Sequence, residues 1–328
     1  MASVPPDRAS SAPGKREVLD SGSMNELPPT LIRTRQAVSR GVDPRRNASQ
    51  FVKVRHGTYL PRPEWEAAGK ERRYELYVRA TVESMKVTAP LARESAAVLL
   101  GLPVVGQWPT VTHVVEEAGS GGRGSAHVVR HGTRYAPEVV LVDGIAVTSA
   151  PRTVVDLARV RSFASGLASA DHALRHGLVT TAELEAEVER LAGTRGIQRA
   201  RAVVEHADGR AESVGESLSR AQMITLAVPL PVLQEEFFDE NGFIGRTDFW
   251  WPELGLCGEF DGFVKFGREL TGSDEDAREA LWKEKQREDR LRRVGNDVAR
   301  WIWDEAYRLE TFARLMASAG LIPGSDRR

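Results

Sequence analysis

Two carboxylates near the C-terminal end of the chain have the spacing of a cation site on a β-hairpin. The segment 245–262, GRTDFWWPELGLCGEFDG, alternates on either side of a four-residue loop at 252–255, a common loop length in hairpins. That loop places Asp248 opposite Glu259, with the two Cβ atoms about 5 Å apart. Two carboxylates this close repel unless one is protonated or a cation lies between them, and Mg²⁺ prefers oxygen ligands. The sequence therefore predicts a Mg²⁺ site at Asp248 and Glu259.

Charged residues on neighbouring elements extend this candidate site. Arg246 is predicted to lie opposite Asp261 on the same face of the hairpin, where the two belong to the site or form a purely structural ion pair. A capped helix upstream of the hairpin carries Glu216, which adds a third carboxylate. Downstream, a highly charged helix at 274–293 precedes a strand at 297–303. These elements must come together if the carboxylates are to act jointly.

This order of residues, with Glu on a helix, then Asp, then Glu-x-Asp, then a basic helix and a strand, resembles the PD-(D/E)xK nuclease clan. It is more closely similar to the very-short-patch-repair endonuclease-like domain that is fused to AbiEi-type modules. The matching motifs are ESLSR, GRTDFWWP, EFDGFVKF and EKQREDRLR, within residues 205–310. The resemblance implies a restriction-endonuclease-like α/β/α domain that hydrolyses phosphodiester bonds with a water activated by Mg²⁺.

The resemblance also assigns roles to individual residues. Asp248 and Glu259 hold the metal, Glu216 completes its shell or orients the water, and a lysine stabilises the developing negative charge. The chain departs from the clan's pattern, because the residue two positions after Glu259 is Asp261 rather than lysine. The lysine role therefore moves to another position or is absent, and in the second case the fold is inactive and only binds DNA. The predicted catalytic residues are Glu216, Asp248, Glu259, Asp261, Lys265 and Lys285, and the supporting residues are Arg220, Arg246 and Arg287.

A basic block near the N-terminal end predicts nucleic-acid binding. Residues 31–63 contain eight basic residues and one acid, a net charge of +7. A short helix at 34–40, a second helix that opens with Asp43-Pro44 and a hairpin at 52–60 together predict a winged helix-turn-helix. The alternative is a small, solvated basic domain that binds protein.

The motifs RGVDPRR and VKVRHGTYL of this block resemble the N-terminal winged helix of AbiEi-type antitoxins. In a winged helix-turn-helix the second helix lies in the major groove, where arginine and amide side chains read base edges. The hairpin then lies near phosphates. The predicted DNA-binding residues are Arg45, Arg46, Asn47, Gln50, Lys53 and Arg55.

The middle of the chain predicts an α+β domain without a catalytic constellation. A helix at 71–86 is followed by four strands between residues 111 and 148 and then by further helices. The motifs TSAPRTVVDLA and ADHALR are similar to the second domain of the same AbiEi-type family. Arg152 and Asp156, four residues apart at the start of a helix, predict a structural ion pair.

Composition limits the classes of function that remain. The chain has 328 residues and a net charge of −1, which is a cancellation between the +7 block and a charge of −9 in residues 205–261. The lone Cys257 excludes a disulfide framework and a zinc site built on cysteines of one chain. With no apolar run of about 18 residues, no membrane span is expected, and a cytoplasmic location is the expectation.

Together these patterns predict a multi-domain α+β protein. The expected parts are a disordered extension at 1–28, a winged helix-turn-helix at 29–66, an AbiEi-like α+β middle domain at 67–204, a restriction-endonuclease-like domain at 205–318 and a tail at 319–328. The first hypothesis is a Mg²⁺-dependent endonuclease whose winged helix places it on DNA. The second is a non-catalytic DNA-binding regulator or antitoxin with an inactive nuclease fold. A third is a protein-interaction module with a cognate toxin or phage-defence partner.

Overall fold

The computed structural model describes residues 31–39, 41–85, 88–119, 125–262 and 274–324, which form a mixed α+β protein with several sheets. The predicted extension at 1–28 and the end of the predicted tail, 325–328, lie outside the described residues. None of the described helices is both long enough and apolar enough to cross a bilayer.

The N-terminal region is a small three-stranded sheet with one helix at its edge. The sheet order is β1-β3-β2, and all its pairs are antiparallel. The elements are β1 (Ile32–Arg33), α1 (Thr34–Ser39), β2 (Phe51–Arg55), β3 (Thr58–Pro61), α2 (Arg62–Ala67) and α3 (Lys70–Met85). The predicted first helix and the predicted hairpin are therefore both present.

The predicted second helix of this region is wrong, because residues 43–50 form turns. Asp43 does not cap a helix there. Its carboxylate accepts hydrogen bonds from the backbone N–H of Arg45 at 3.0 Å and from two guanidinium nitrogens of Arg45, both at 2.9 Å. A carboxylate that bonds the N–H two residues onward closes an Asx turn, and here no helix continues from it.

The middle region packs helices around an aliphatic core beside two pairs of strands. β4 and β5 are parallel, and β6 and β7 form an antiparallel hairpin. The core is lined by buried residues such as Val154, Leu157 and Leu184. The elements are α4 (Arg93–Leu99), β4 (Thr112–Glu117), β5 (Val128–Thr133), β6 (Val139–Val142), β7 (Ile145–Thr148), α5 (Ala150–Val160), α6 (Phe163–Arg175), α7 (Thr181–Arg190) and α8 (Ile197–His206).

The C-terminal region is a four-stranded mixed sheet between helices. Its strand order is β11-β10-β9-β8, with β10 and β11 parallel and the other neighbours antiparallel. Phe249, Trp301 and Phe312 are fully buried and contact one another on one side of the sheet. The elements are α9 (Val214–Leu226), β8 (Val232–Asp239), β9 (Gly242–Trp251), β10 (Leu256–Asp261), α10 (Asp274–Arg293), β11 (Asp297–Ile302), α11 (Trp303–Tyr307) and α12 (Leu309–Ser318).

The hairpin that was predicted to carry the carboxylates begins as expected and then opens. Trp251 pairs with Leu256 around a short 3₁₀ turn at Pro252–Leu254, as predicted. The β9–β10 ladder ends at the pair Phe249 and Gly258, one step before the predicted pair of Asp248 and Glu259. Beyond that point β9 continues only along β8, so the two carboxylates are not opposed in a ladder.

Two contacts fix helix α9 against its neighbours. Asp171 of α6 is buried and accepts hydrogen bonds from Arg220 at 2.6 Å and from Ser217 at 2.8 Å, both in α9. At the start of α9, a Cβ added to Gly215 would lie 1.9 Å from the ring of Phe260, so only glycine permits this approach to β10. These contacts set the position of Glu216, the next residue of α9.

Candidate functional site: a buried carboxylate cluster

Glu216 is buried at the first turn of α9 and is held by the cap of that helix. The Ser213 hydroxyl accepts a hydrogen bond from the Glu216 N–H at 3.1 Å and donates one to Glu216 Oε1 at 2.7 Å. Glu216 Oε2 accepts from the backbone N–H of Glu212 at 2.8 Å. A carboxylate at a helix N-terminus also interacts favourably with the helix dipole. The sequence-predicted capped helix is thus present, and it directs Glu216 toward the sheet.

Asp248 lies where β9 separates from β10. Its Oδ2 accepts a hydrogen bond from the backbone N–H of Phe260 at 2.8 Å. The β9–β10 ladder has already ended at this point, so the carboxylate takes the place of a backbone carbonyl of β9 as the acceptor. Burial, the negative charge of Glu216 and, to a smaller degree, that of Glu259 together raise the pKa of Asp248 to about 7. The Asp248 carboxyl is therefore poised to exchange a proton, or to accept a cation, near neutral pH.

Gln234 of β8 joins these two acids and was not anticipated from the sequence. Its Nε2 donates a hydrogen bond to Glu216 Oε2 at 2.9 Å, and its side chain also bonds Asp248 and partly offsets the rise of that pKa. The backbone of Gln234 has φ +59°, a left-handed conformation that is unfavourable for a residue with a Cβ. A polar residue inside a strand pattern is the only sequence signal it gives, and such residues are common on solvent faces.

Glu259, the second predicted metal ligand, has a different environment. Arg287 Nη2 donates to both of its carboxylate oxygens, at 2.6 and 2.7 Å, and Arg300 Nη2 lies 3.0 Å from Oε2. Glu284 is bonded to the same two arginines, and hydrogen bonding to Arg287 lowers its pKa to about 2. The predicted support by Arg287 is therefore a direct ion pair, whereas Arg300 was not predicted.

Arg300 has a buried hydrogen-bond donor that is left unsatisfied. Its Nε is buried and has no hydrogen-bond partner among the residues that the structure describes. Its Nη2 bonds Glu284 and contacts Glu259, so the guanidinium is held at the edge of the cluster with one donor unused. An unused buried donor beside a group of carboxylates marks a position where a water or another acceptor is expected.

Three other predicted site residues lie elsewhere. Arg246 bonds Glu212 at 2.7 Å rather than Asp261, because β9 has left β10 at this point. Asp261 is exposed at the end of β10. Arg220 forms a buried ion pair with Asp171 and donates to the backbone carbonyl of residue 206 at 2.7 Å, so its role is to fix α9 on α6.

The two candidate lysines do not complete the cluster. Lys285 is exposed on α10, and among the described residues no carboxylate accepts a hydrogen bond from it, whereas Arg287 of the same helix reaches Glu259. Lys265 lies outside the described residues. Within the ranges that the structure describes, no set of three or more His, Cys, Asp and Glu side chains is arranged to hold a metal.

Four of the six predicted DNA-binding residues are exposed, and the other two, Asn47 and Arg55, are half-buried. Arg45, Arg46, Gln50 and Lys53 are exposed, although both arginines lie within ion-pair distance of Asp43. The predicted residue Asn47 is half-buried, and its side-chain amide donates to the carbonyl of residue 43 at 3.3 Å.

Arg55 is turned inward instead. Its guanidinium donates to the carbonyl of Thr81 at 3.1 Å and to the Ser84 hydroxyl at 2.5 Å, which ties β2 to α3. Burial lowers the pKa of Arg55. Its side chain is therefore part of the packing between the hairpin and α3.

The predicted helix-start pair of the middle domain is confirmed. Arg152 Nε donates to Asp156 Oδ2 at 2.7 Å, and both side chains are buried. The pair contributes to the packing of α5 and is remote in sequence from the carboxylate cluster.

Comparison with known proteins finds similarities for part of the chain. Residues 83–206 match the family described as AbiEi antitoxin C-terminal domain. Two curated proteins of Mycobacterium tuberculosis, "Uncharacterized protein Rv2248" of strain H37Rv and "Uncharacterized protein MT2308" of strain CDC 1551, are each 36% identical to this chain over 147 residues. The match covers 41% of this chain and 54% of each relative, so the chain spans about half the length of the curated relatives it matches.

Among solved structures, one match is the crystal structure of the RV2827C protein from Mycobacterium tuberculosis. It is 17% identical, with a TM-score of 0.34, and the alignment covers 64% of this chain and 84% of that one. A likeness at this level carries no argument about the fold or the function.

Proposed function

We propose that the C-terminal region is a metal-dependent endonuclease-like domain acting on DNA, with Glu216 and Asp248 as the central acids of its site. The observation that carries the proposal is the Asp248 carboxyl, half-buried beside the buried Glu216 with its pKa raised to about 7. Perturbed carboxyl groups of this kind concentrate at functional sites. The order α9, β8, β9, β10, α10, β11 also supports it, since this helix-strand succession is the one expected of the nuclease clan.

The donors of the cluster suit a hard divalent cation. Asp248 and Glu216 each keep oxygen lone pairs beyond the hydrogen bonds they accept, and Mg²⁺ takes one or two carboxylates while retaining several waters. Glu259 is less suited to bind the cation than predicted, because both its carboxylate oxygens accept hydrogen bonds from Arg287. A bound Mg²⁺ would supply a Lewis acid and an acidified water.

The protein's own side chains would perform the remaining tasks. Asp248, half-protonated near pH 7, accepts or releases a proton at its carboxyl. Gln234 orients Glu216 through its 2.9 Å hydrogen bond, and the partly exposed guanidinium of Arg300 would supply positive charge toward a phosphate oxygen. In this arrangement an arginine takes the place of the lysine that the clan's pattern requires.

The N-terminal region would help to hold DNA. Residues 31–63 carry a net charge of +7, and exposed cations of its turns and hairpin would contact phosphates. The finer prediction of a winged helix-turn-helix stays a proposal, in which the turns at 43–50 would take the place of a reading helix. The match of residues 83–206 to an antitoxin domain supports a toxin–antitoxin or defence context, with a cognate toxin as a further partner.

A non-catalytic regulator is the second candidate, and specific observations favour it. Glu259 is already neutralised by Arg287 and Arg300, and Lys285 is exposed. A fold of this type without its catalytic lysine would serve as a platform that binds DNA. This alternative predicts salt-sensitive DNA affinity without cleavage.

The deciding experiment measures cleavage by the full chain in Mg²⁺ and in EDTA. Substrates are plasmid DNA, linear duplex, single-stranded DNA and RNA. Asp248→Asn and Glu216→Gln are expected to reduce cleavage by about 100-fold or more, because each removes a metal-binding charge. The matched control is Glu253→Gln, an exposed acid of the same hairpin, which is expected to cleave like the wild type.

The outcomes separate the two candidates. Cleavage that survives both substitutions would reject this site. Absence of cleavage on every substrate, together with DNA binding that weakens steeply with salt, would establish the regulator instead.

A further inference from the structure

Two histidines lie one turn apart at the C-terminal end of α6. His172 and His176 are four positions apart, which places both on the same face of the helix. Their rings are in contact, with centroids 4.2 Å apart and planes inclined by 41°. His172 is half-buried and His176 is exposed, so solvent reaches the pair. Two histidines at this spacing on one helix face are a known arrangement for holding a metal ion.

Both imidazoles are available as ligands. Among the residues that the structure describes, no hydrogen bond involves either ring, so no ring nitrogen is engaged by a protein donor or acceptor. Burial and, to a smaller degree, the charges of His176 and Arg175 lower the pKa of His172 to about 4. Its imidazole is therefore neutral near pH 7, which is the form that binds a metal.

The charges around the pair also permit a cation. Arg175 is the neighbouring positive group, and its guanidinium donates to the Glu212 carboxylate at 2.7 Å, which compensates its charge. His176 is the C-cap of α6, where the helix dipole presents partial negative charge. Asp171, the residue before His172, is not a further ligand, because its carboxylate is turned into the core and bonded to α9.

The separation of the rings indicates which coordination geometry the pair suits. An ion about 2.1 Å from a ring nitrogen lies about 3.2 Å from the centroid of that ring. Two rings at a right angle about one ion then have centroids about 4.5 Å apart, and two rings at the tetrahedral angle have centroids about 5.2 Å apart. The observed 4.2 Å is closer to the right-angled arrangement, which is typical of Cu²⁺ and Ni²⁺.

We infer that His172 and His176 form a chelating site for a divalent transition metal of the copper or nickel type. No third protein ligand is arranged there within the described ranges, so water occupies the remaining positions. Ala173 follows His172, where the zinc hydrolases have a glutamate as general base, so the site binds an ion without the group for hydrolysis. The site is separate from the carboxylate cluster and does not depend on the proposed nuclease activity.

The test is an NMR titration of the full chain, without an affinity tag and labelled with ¹⁵N-histidine, with Ni²⁺ as the probe. Excess Mg²⁺ is present, because it occupies oxygen sites and competes poorly for imidazole. Of the seven histidines, only His172 and His176 are expected to lose their imidazole signals by paramagnetic broadening at low Ni²⁺ concentration. Calorimetry under the same conditions is expected to show one Ni²⁺ site, and weaker binding of Zn²⁺.

Substitution of each ligand separates the chelate from binding by single histidines. His172→Asn and His176→Asn are each expected to weaken Ni²⁺ binding by about 100-fold, since even the loss of a residue that supports a ligand costs 10- to 100-fold. His56→Asn is the matched control, because His56 is exposed in the β2–β3 turn, and it is expected to bind Ni²⁺ like the wild type. Thermal unfolding without metal shows whether each variant is folded, and exposed His176 is the substitution least able to disturb packing.

Three outcomes would overturn the proposal. The first is equal broadening of all histidine signals by Ni²⁺, or no broadening, in the folded wild type. The second is undiminished Ni²⁺ binding by folded His176→Asn. The third is tighter binding of Zn²⁺ than of Ni²⁺, which would contradict the right-angled geometry.

Discussion

Asp248 and Glu259 lie on neighbouring strands of one sheet, yet their electrostatic environments are opposite. Glu259 is bonded to Arg287 at 2.6 and 2.7 Å and lies 3.0 Å from Arg300. Asp248 has the negative charge of Glu216 beside it, and its own hydrogen-bond donors, a backbone N–H and a side-chain amide, are neutral. The pKa of Asp248 is raised to about 7 as a result.

The difference shows which carboxylate still requires a positive charge. A buried acid with arginine partners is already compensated, and its contribution is to the structure. A buried acid beside another acid is compensated only by a proton or a cation. The opening of the β9–β10 ladder after Phe249 produces the contrast, because it releases Asp248 toward α9 while Glu259 remains under α10.

The largest expected change in the free energy of unfolding follows from removing Arg287, which neutralises the Glu259 carboxylate. Arg287→Met leaves a largely buried carboxylate with Arg300 alone, and the free energy of unfolding is expected to fall by about 3 kcal/mol. Urea unfolding measures it. Arg292→Met is the control, since Arg292 forms an exposed pair with Glu288, and its expected cost is below about 1 kcal/mol. An equal loss of unfolding free energy in the two variants would show that Glu259 is not specially stabilised by Arg287, and the contrast between Asp248 and Glu259 would no longer hold.

An effect of comparable size is expected from the titration of Asp248. Because its pKa is raised in the folded state, the stabilising contribution of the protonated form is complete below the unfolded-state pKa near 4. It is lost as the pH rises toward about 7, in total by about 2 to 4 kcal/mol. Urea unfolding from pH 4 to 8 measures this slope. Asp248→Asn is expected to abolish it, and a slope that persists in that variant would assign it to another group.

The smallest effect is expected at Arg246, which the sequence placed in the same site. Its pair with Glu212 is exposed, and Glu212 has a second partner in Arg175 at 2.7 Å. Arg246→Gln is therefore expected to change the free energy of unfolding by less than about 0.5 kcal/mol in urea unfolding. A loss above 1 kcal/mol would place Arg246 among the residues that compensate the buried acids.

Much of the local structure was predictable from the sequence. The short helix predicted at 34–40 forms as α1, and the Trp251–Leu256 pair closes the predicted loop at 252–255, because turn residues and hydrophobic periodicity act over a few positions. The segment at 43–50 differs, because Asp43 closes an Asx turn there and no helix follows it. Asp-Pro is compatible with both a turn and a helix start, so its presence alone did not distinguish them.

The composition of the candidate site was predicted in part. Glu216, Asp248, Glu259 and Arg287 are brought into one region, as the order of motifs indicated. Gln234 and Arg300 were missed because neither lies in a motif that carried the resemblance, and their partners are distant along the chain, 18 residues away for the Gln234–Glu216 bond and 16 for the Arg300–Glu284 bond. The spacing of residues along one strand contains no information on such contacts.

The sequence by itself determined the elements, their order and the sign of charge in each region, because propensity, turn chemistry and charge are local properties. The tertiary structure alone decided which acid is neutralised. It set the end of the β9–β10 ladder at Gly258, the distance of Arg287 from Glu259 and the burial of Asp248. These quantities depend on how strands and helices from distant segments pack, and burial together with nearby charge sets the protonation and cation affinity of a carboxylate.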